Sequence, residues 1–348
     1  MSFQEEKRES IKRYMLEKIR LDDSEYIAKT MENFSVSVTT VKRYIKECLE
    51  NHILVEAKER NTGYELHSTS ATFSYSLEEK LDEDEIYYED VRGLLDDVSK
   101  EAKTIWAYCF TEMMNNAIEH SRGKKIQLVI RRDYLYTEIN IMDDGIGIFK
   151  NLQQYIKDTL KEDVSYSGVL AELYKGKFTS KPENHSGEGI FFTSKVLNAF
   201  TIWSEGVVYF QGCIEKEKWI TSHLLSYASK IQNIGTMVIM KLENQTTRSI
   251  KEVFDLYAPI DEGFIRTRIP VAQVCAYGEP IARSQARRIL YRLETFKQIE
   301  FDFTDVEFMG QGFADEIFRV FQNQYPDIEL IPIHANETVL GMIKHVKR

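Results

Sequence analysis

Glu112 and Asn116 stand four residues apart in the run EAKTIWAYCFTEMMNNAIEHS, residues 101–121. On a helix that spacing puts a carboxylate and an amide on one face, one turn apart, with Tyr108 a turn before them. An amide oxygen is a hard ligand for a Mg2+ ion that also touches phosphates, and the neighbouring carboxylate can take a proton from water. Consecutive asparagines, Asn115 and Asn116, each cost roughly a few tenths of a kcal/mol against Ala in a helix, so helix propensity did not select them. On this helix alone, a polar flank meeting solvent accounts for the same pair equally well.

The helix that must carry the pair has its own apolar stripe, Ile105, Cys109, Met113 and Ala117, suited to packing on a sheet. The runs KKIQLVIRR and LYTEINIMDDGIGI follow, and their alternation (Ile126, Leu128, Ile130; Ile139, Ile141) predicts a strand pair. The second strand ends in Asp143, Gly145 and Gly147. A carboxylate there can accept the exocyclic amine of adenine while bare glycine backbone lets a ring approach, although a tight turn explains the same residues. After a helical stretch (Leu152, Ile156, Leu160) and the polar segment GKFTSKPENHSGEG, Gly187 and Gly189 open a predicted helix, IFFTSKVLNAF, and so offer free N–H groups to an anion. Neither GxxxxGK[ST] nor GxGxxG occurs, which excludes a P-loop and a dinucleotide fingerprint. Further strands are expected at AFTIWS, VVYFQG and GTMVIMKL, the last introduced by Gly235 and Thr236.

A chain of 348 residues with net charge −10 suggests two or three domains and argues against general coating of nucleic acid. Cys48, Cys109, Cys213 and Cys275 have no paired spacing, so neither a disulfide framework nor a zinc site is expected, and a reducing cytoplasm fits. No run approaches the length of a membrane span.

Upstream, three helical patterns and a hairpin around Asn61, Thr62 and Gly63 resemble a winged helix-turn-helix, with the helix from Ser37 to Asn51 in the recognition place. The resemblance implies major-groove contacts by Thr39, Thr40, Lys42, Arg43 and Lys46, with Arg60 of the wing reaching the DNA backbone. Residues 1–70 hold twelve Lys or Arg against thirteen Asp or Glu, so the module is not basic overall. A stretch rich in Ser and Thr, 68–76, marks a boundary, and the acidic residues 77–97 are expected to form a helix packed on the next domain.

In order, Glu112-x-x-x-Asn116-Ala117, Asp143-x-Gly145-x-Gly147, Gly187-x-Gly189 and Gly235-Thr236 resemble the four nucleotide-binding boxes of the GHKL superfamily, which includes gyrase, MutL, sensor histidine kinases and anti-sigma-factor kinases. The likeness implies a Bergerat α/β sandwich with a mostly antiparallel sheet, binding ATP and Mg2+. By the same likeness Asn116 holds Mg2+, Asp143 reads adenine, and Gly145 and Gly147 admit the base. Gly187 and Gly189 hold phosphates, Thr236 supports the adenine side, and Glu112 matches the acid that activates water. Nothing upstream resembles a phosphoacceptor hairpin. His120, one turn beyond Asn116, is read as a structural neighbour, while His185, Lys177 and Lys181 are candidates for the terminal phosphate.

The last part reads as strands alternating with helices, and IEFDFTDVEFMGQGFADEIFRVF resembles the core of STAS domains. It departs from them in the loop Met309, Gly310, Gln311 and Gly312, which offers no hydroxyl to phosphate, and Asp302 and Asp305 read as turn and cap residues. The expected organisation is multidomain α/β: a winged helix (1–75), a GHKL domain (76–258) and a small STAS-like α/β domain (259–348). Its expected function is an ATP-binding, ATP-hydrolysing regulator that couples nucleotide state to contacts with DNA or protein. The alternatives are a nucleotide sensor or transcriptional regulator without turnover, and an anti-sigma-type serine kinase acting on a separate partner. Partners compatible with this layout are ATP, double-stranded DNA at the winged helix, a protein at the STAS-like domain and a second copy of the chain, with no membrane.

Overall fold

The computed structural model describes residues 3–161, 163–177, 187–212, 234–275 and 278–347. At the N-terminus α1 (Phe3–Arg20), α2 (Tyr26–Phe34) and α3 (Val38–Glu50) close around Ile11, Met15, Ile19, Val41, Tyr44 and Ile45. Ser37 starts α3 by accepting the Thr40 N–H at 3.3 Å, which satisfies a donor that the first turn leaves open. Strands β1 (Leu54–Glu56) and β2 (Tyr64–Leu66) pair antiparallel, and Gly63 at φ 75° makes the turn that a side chain would strain.

Six strands form the central antiparallel sheet: β3 (Thr69–Ser76), β4 (Lys125–Arg132), β5 (Tyr136–Asp143), β6 (Ala199–Ser204), β7 (Val207–Gly212) and β8 (Thr236–Glu243), in the order β3-β4-β5-β8-β6-β7. The stretch 68–76, expected as a boundary, is therefore an edge strand, and Phe73 and Tyr75 pack on the core while Ser70, Thr72 and Ser74 face outward. Period-two alternation places Ile126, Leu128 and Ile130 in the main core and Val129 in a second cluster with Met142, Met237 and Ile239. Helix α4 (Glu83–Ile86) continues as π and 3-10 turns through residue 95, burying Ile86, Tyr87, Val91 and Leu95 beneath β3 and α5 (Lys100–His120). Tyr75 ties that acidic strap to the sheet by donating to Asp90 at 2.7 Å. The N-terminal module is docked on this sheet, since Leu135 from the β4–β5 turn is buried in its core and Arg13 pairs with Glu243 of β8.

Helices α6 (Ile148–Tyr155), α7 (Tyr166–Lys175) and α8 (Gly189–Val196) join α5 in the main core, and α9 (Ile250–Tyr257) packs against α8 and α5. The remainder runs β9 (Arg266–Pro270), α10 (Val271–Val274), α11 (Arg283–Leu290), β10 (Gln298–Asp302), α12 (Gln311–Asp315, continued helically to residue 324), β11 (Glu329–Ile333) and α13 (Glu337–Val346). Its three strands are parallel in the order β11-β10-β9, as strands joined by crossover helices must be. No described helix is long and apolar enough to cross a membrane.

Candidate functional site

The apolar stripe of α5 is buried as its spacing requires, and Glu112 and Asn116 lie half-buried on the flank beside it. Ser99 caps the helix by accepting the Ala102 N–H at 3.1 Å. Burial, and then the Glu112 charge, hold the Tyr108 hydroxyl far above its ordinary range. Glu112 reaches the first residue of α8: a methyl group on Gly189 would sit 2.0 Å from Glu112 Oε2. The carboxylate therefore lies directly against the N-terminus of α8. Gly187, two residues earlier, holds φ 76°.

At the far end of α5, three backbones meet. The Ser121 carbonyl accepts the Ile146 N–H at 2.9 Å, and a Cβ on Gly145 would lie 2.0 Å from that same oxygen. A Cβ on Gly235 would in turn lie 2.3 Å from the Gly145 carbonyl. Gly147 is left-handed at φ 87°, with Ser204 Oγ 2.6 Å from where its Cβ would be. The protein's own packing thus requires these glycines, whatever ligand approaches them. Gly145→Ala is expected to lower stability by about 1 to 3 kcal/mol, because backbone cannot move aside as a side-chain tip can. A fall in the denaturant midpoint at unchanged slope is the readout, and an unchanged midpoint would contradict the packing.

Asp143 closes β5 opposite Thr236, the first residue of β8. It accepts the Gly145 N–H at 2.9 Å and hydrogen bonds from Thr236. Thr236 Oγ1 also receives the Ile148 N–H at 3.1 Å, which fixes the start of α6. Burial pushes the Asp143 carboxyl up to about 6, against the pull of the Gly145 and Thr236 bonds. A folded-state value above the unfolded one means that the native state holds this proton more tightly, so the ionised form exists mainly above that value. If Asp143 accepts the adenine amine, nucleotide affinity should fall about tenfold per unit as pH drops below about 6. A flat affinity between pH 5 and 7 would remove that role.

Asn116 sits on the flank between these two contacts. From Glu112 to Ser121 the helix rises about 13 Å at 1.5 Å per residue. The structure therefore brings together Glu112 with Gly189 at the middle of α5, and Asp143 with Gly145 and Thr236 near its C-terminus, and Asn116 falls between these two levels along the helix axis. Sequence spacing missed Ser121 and Ser204, whose contacts are purely tertiary, and Asn151, which donates to the His120 carbonyl at 3.1 Å and holds α6 to α5. It also missed Asp144, whose Oδ1 accepts the Lys124 and Lys125 N–H groups at 2.7 and 2.9 Å. Lys177 lies over the Phe264 and Phe296 rings at 5.3 and 4.3 Å, turned to the C-terminal strands. Lys181 and His185 lie outside the described residues, as does Cys213.

In the N-terminal module Thr39, Lys42, Arg43 and Lys46 are exposed on α3, with Lys46 paired to Glu50 at 3.6 Å. Thr40 is half-buried in the Ser37 cap. Arg60, expected to reach a DNA backbone, is instead engaged within the module. It donates to the Ile19 and Arg20 carbonyls at 3.1 and 2.9 Å and pairs with Asp22 at 3.4 Å, because a cation is favoured at the open carbonyls of the α1 C-terminus.

In the C-terminal domain Met309 is buried, and a Cβ on Gly310 would lie 2.4 Å from the Ile281 carbonyl, so the loop after β10 is packed shut. Asp302 accepts the Thr304 N–H at 3.0 Å and its hydroxyl at 2.7 Å, and meets His334 Nδ1 at 2.9 Å. Asp305 occupies the left-handed turn at φ 62°. Residues 285–340 match a STAS-like domain of unknown function, DUF4325. The match begins inside α11 and ends within α13, so the STAS-like domain holds β10 and β11 of the three-stranded sheet. Comparison with curated proteins gives no match.

Proposed function

We propose that the chain binds ATP with Mg2+ along the α5 flank and hydrolyses it, and that nucleotide state governs its contacts with DNA or a protein. What supports this reading is that, along the α5 axis, Asn116 falls between Glu112, which lies against Gly189, and the Ser121 carbonyl, which contacts Gly145 beside the buried Asp143. An anion is favoured at the α8 N-terminus and an amine donor at Asp143, and the two levels of α5 that they approach lie roughly 13 Å apart along its axis, a length that suits an extended nucleoside triphosphate. Among the described residues no group of three His, Cys, Asp or Glu could cage a metal. The donor set therefore suits an ion held mostly by phosphate and water oxygens, with the Asn116 amide as one protein ligand, which is how Mg2+ is usually bound. When bound, the ion would neutralise phosphate charge. In this reading Glu112, which lies against Gly189, would orient and deprotonate the attacking water. Equilibrium binding of Mg·ATP with phosphate release on the same sample tests the reading. Saturable binding with turnover supports it, and absence of binding removes it.

The exposed Lys42, Arg43 and Lys46 on α3 favour duplex DNA as one partner. Replacing all three by Ala should abolish a gel shift and flatten its salt dependence, since each lost phosphate contact lowers the log–log slope by about 0.9. Unchanged DNA binding would reassign the module to protein contacts.

A further inference from the structure

The chain enters and leaves the segment between α7 and α8 at points held by the C-terminal domain. At the exit of α7, Lys175 Nζ donates to the Tyr291 carbonyl at 2.6 Å, and Thr267 Oγ1 donates to the Lys175 carbonyl at 3.0 Å. The Lys175 side chain is only 3% exposed and its partner is Glu172, so this anchor is a buried ion pair that cannot slide without losing its bonds. Gly176 then turns the chain at φ 88°, where a Cβ would lie 2.5 Å from the Phe191 ring.

On the other side, α8 begins at Gly189 against Glu112 and within three residues packs two aromatic rings against α9 and against Phe264 of the C-terminal domain. Phe191 meets Phe264 at 4.7 Å and Tyr257 at 5.0 Å between centroids. Phe192 stacks on Phe254 at 4.2 Å and meets Phe264 at 5.4 Å, and Phe264 reaches Phe296 at 5.4 Å. These rings belong to one continuous core that runs from α5 into the parallel sheet. A packed core has discrete arrangements and does not deform smoothly, so Gly189 cannot move without moving the rings two and three residues on.

We infer that the C-terminal domain regulates the α5 site by positioning the N-terminus of α8 through Phe191, Phe192 and Phe264. This rests on the nucleotide reading of that site. Coupling between sites is reciprocal, so a ligand that fixes Gly189 also biases the C-terminal domain, and a partner that shifts Phe264 alters affinity for the ligand.

Hydrogen exchange of the full chain, with and without saturating Mg·ATP, tests this together with Mg·ATP titrations of wild type, Phe264→Leu and Phe192→Leu. The expected result is slowed exchange both along residues 105–147 and in residues 264–303. Phe264→Leu, which lies away from the proposed ligand contacts, should bind ATP about five-fold more weakly or worse. Phe192→Leu should do the same while each variant keeps wild-type exchange in β4 and β5 without ligand, which shows that it is folded. Protection confined to residues 105–147, with wild-type affinity in both variants, would overturn the coupling and leave the nucleotide reading standing. No protection anywhere would overturn both.

Discussion

Asn116→Ala is expected to weaken Mg·ATP binding by about 100-fold or more. Loss of groups that merely support a metal ligand typically costs about 10- to 100-fold, and removal of a direct oxygen ligand should cost at least that. The substitution is mild for the fold, because Asn116 is half-buried on the flank and Ala is the better helix former. Thermal stability without ligand should therefore be unchanged or slightly raised. Loss of binding without loss of stability separates a ligand-holding amide from a polar surface residue. Wild-type affinity in Asn116→Ala would mean that this flank only meets solvent.

Glu112→Gln should leave ATP affinity nearly intact and reduce turnover by at least about 100-fold, the usual range for loss of a general base being 10² to 10⁴. Gln preserves the shape that lies against Gly189, so α8 keeps its place and only proton transfer is lost. The contrast with Asn116→Ala matters because the two residues are one helical turn apart on the same face. If both variants lost binding equally, the flank would act as one undivided contact. If Glu112→Gln turned over ATP at the wild-type rate, the carboxylate would have no role in hydrolysis.

What could be read from the sequence follows from how local each signal is. The buried stripe of α5 and the polar row beside it come directly from a four-residue repeat, and the alternating strands and helices after residue 265 come from the crossovers that parallel strands need. The edge strand 69–76 was hidden because Ser and Thr serve turns as readily as outward-facing strand positions, although Phe73 and Tyr75 carried the alternation. Gly145 announced a close approach and Gly235 only the start of a strand, and the atoms that approach them, the Ser121 and Gly145 carbonyls, are set by tertiary packing that no spacing encodes. Arg60 illustrates the same limit. A basic residue next to a hairpin turn reads as a wing contact, and its bonds to Ile19 and Arg20 exist only once α1 is docked. The aromatic contact of α8 with Phe264 was equally invisible, because Phe191 and Phe192 fit any buried helix face.

The most direct test of the central claim incubates the purified full chain with Mg2+ and ATP labelled on the terminal phosphate, and follows free phosphate and protein-bound label in the same sample. The account predicts saturable binding and steady release of free phosphate, with no label on the chain, including on Thr304 and across residues 301–313. Binding without any release, even when DNA is present, would contradict hydrolysis and leave a sensor; neither binding nor release would contradict the nucleotide site itself.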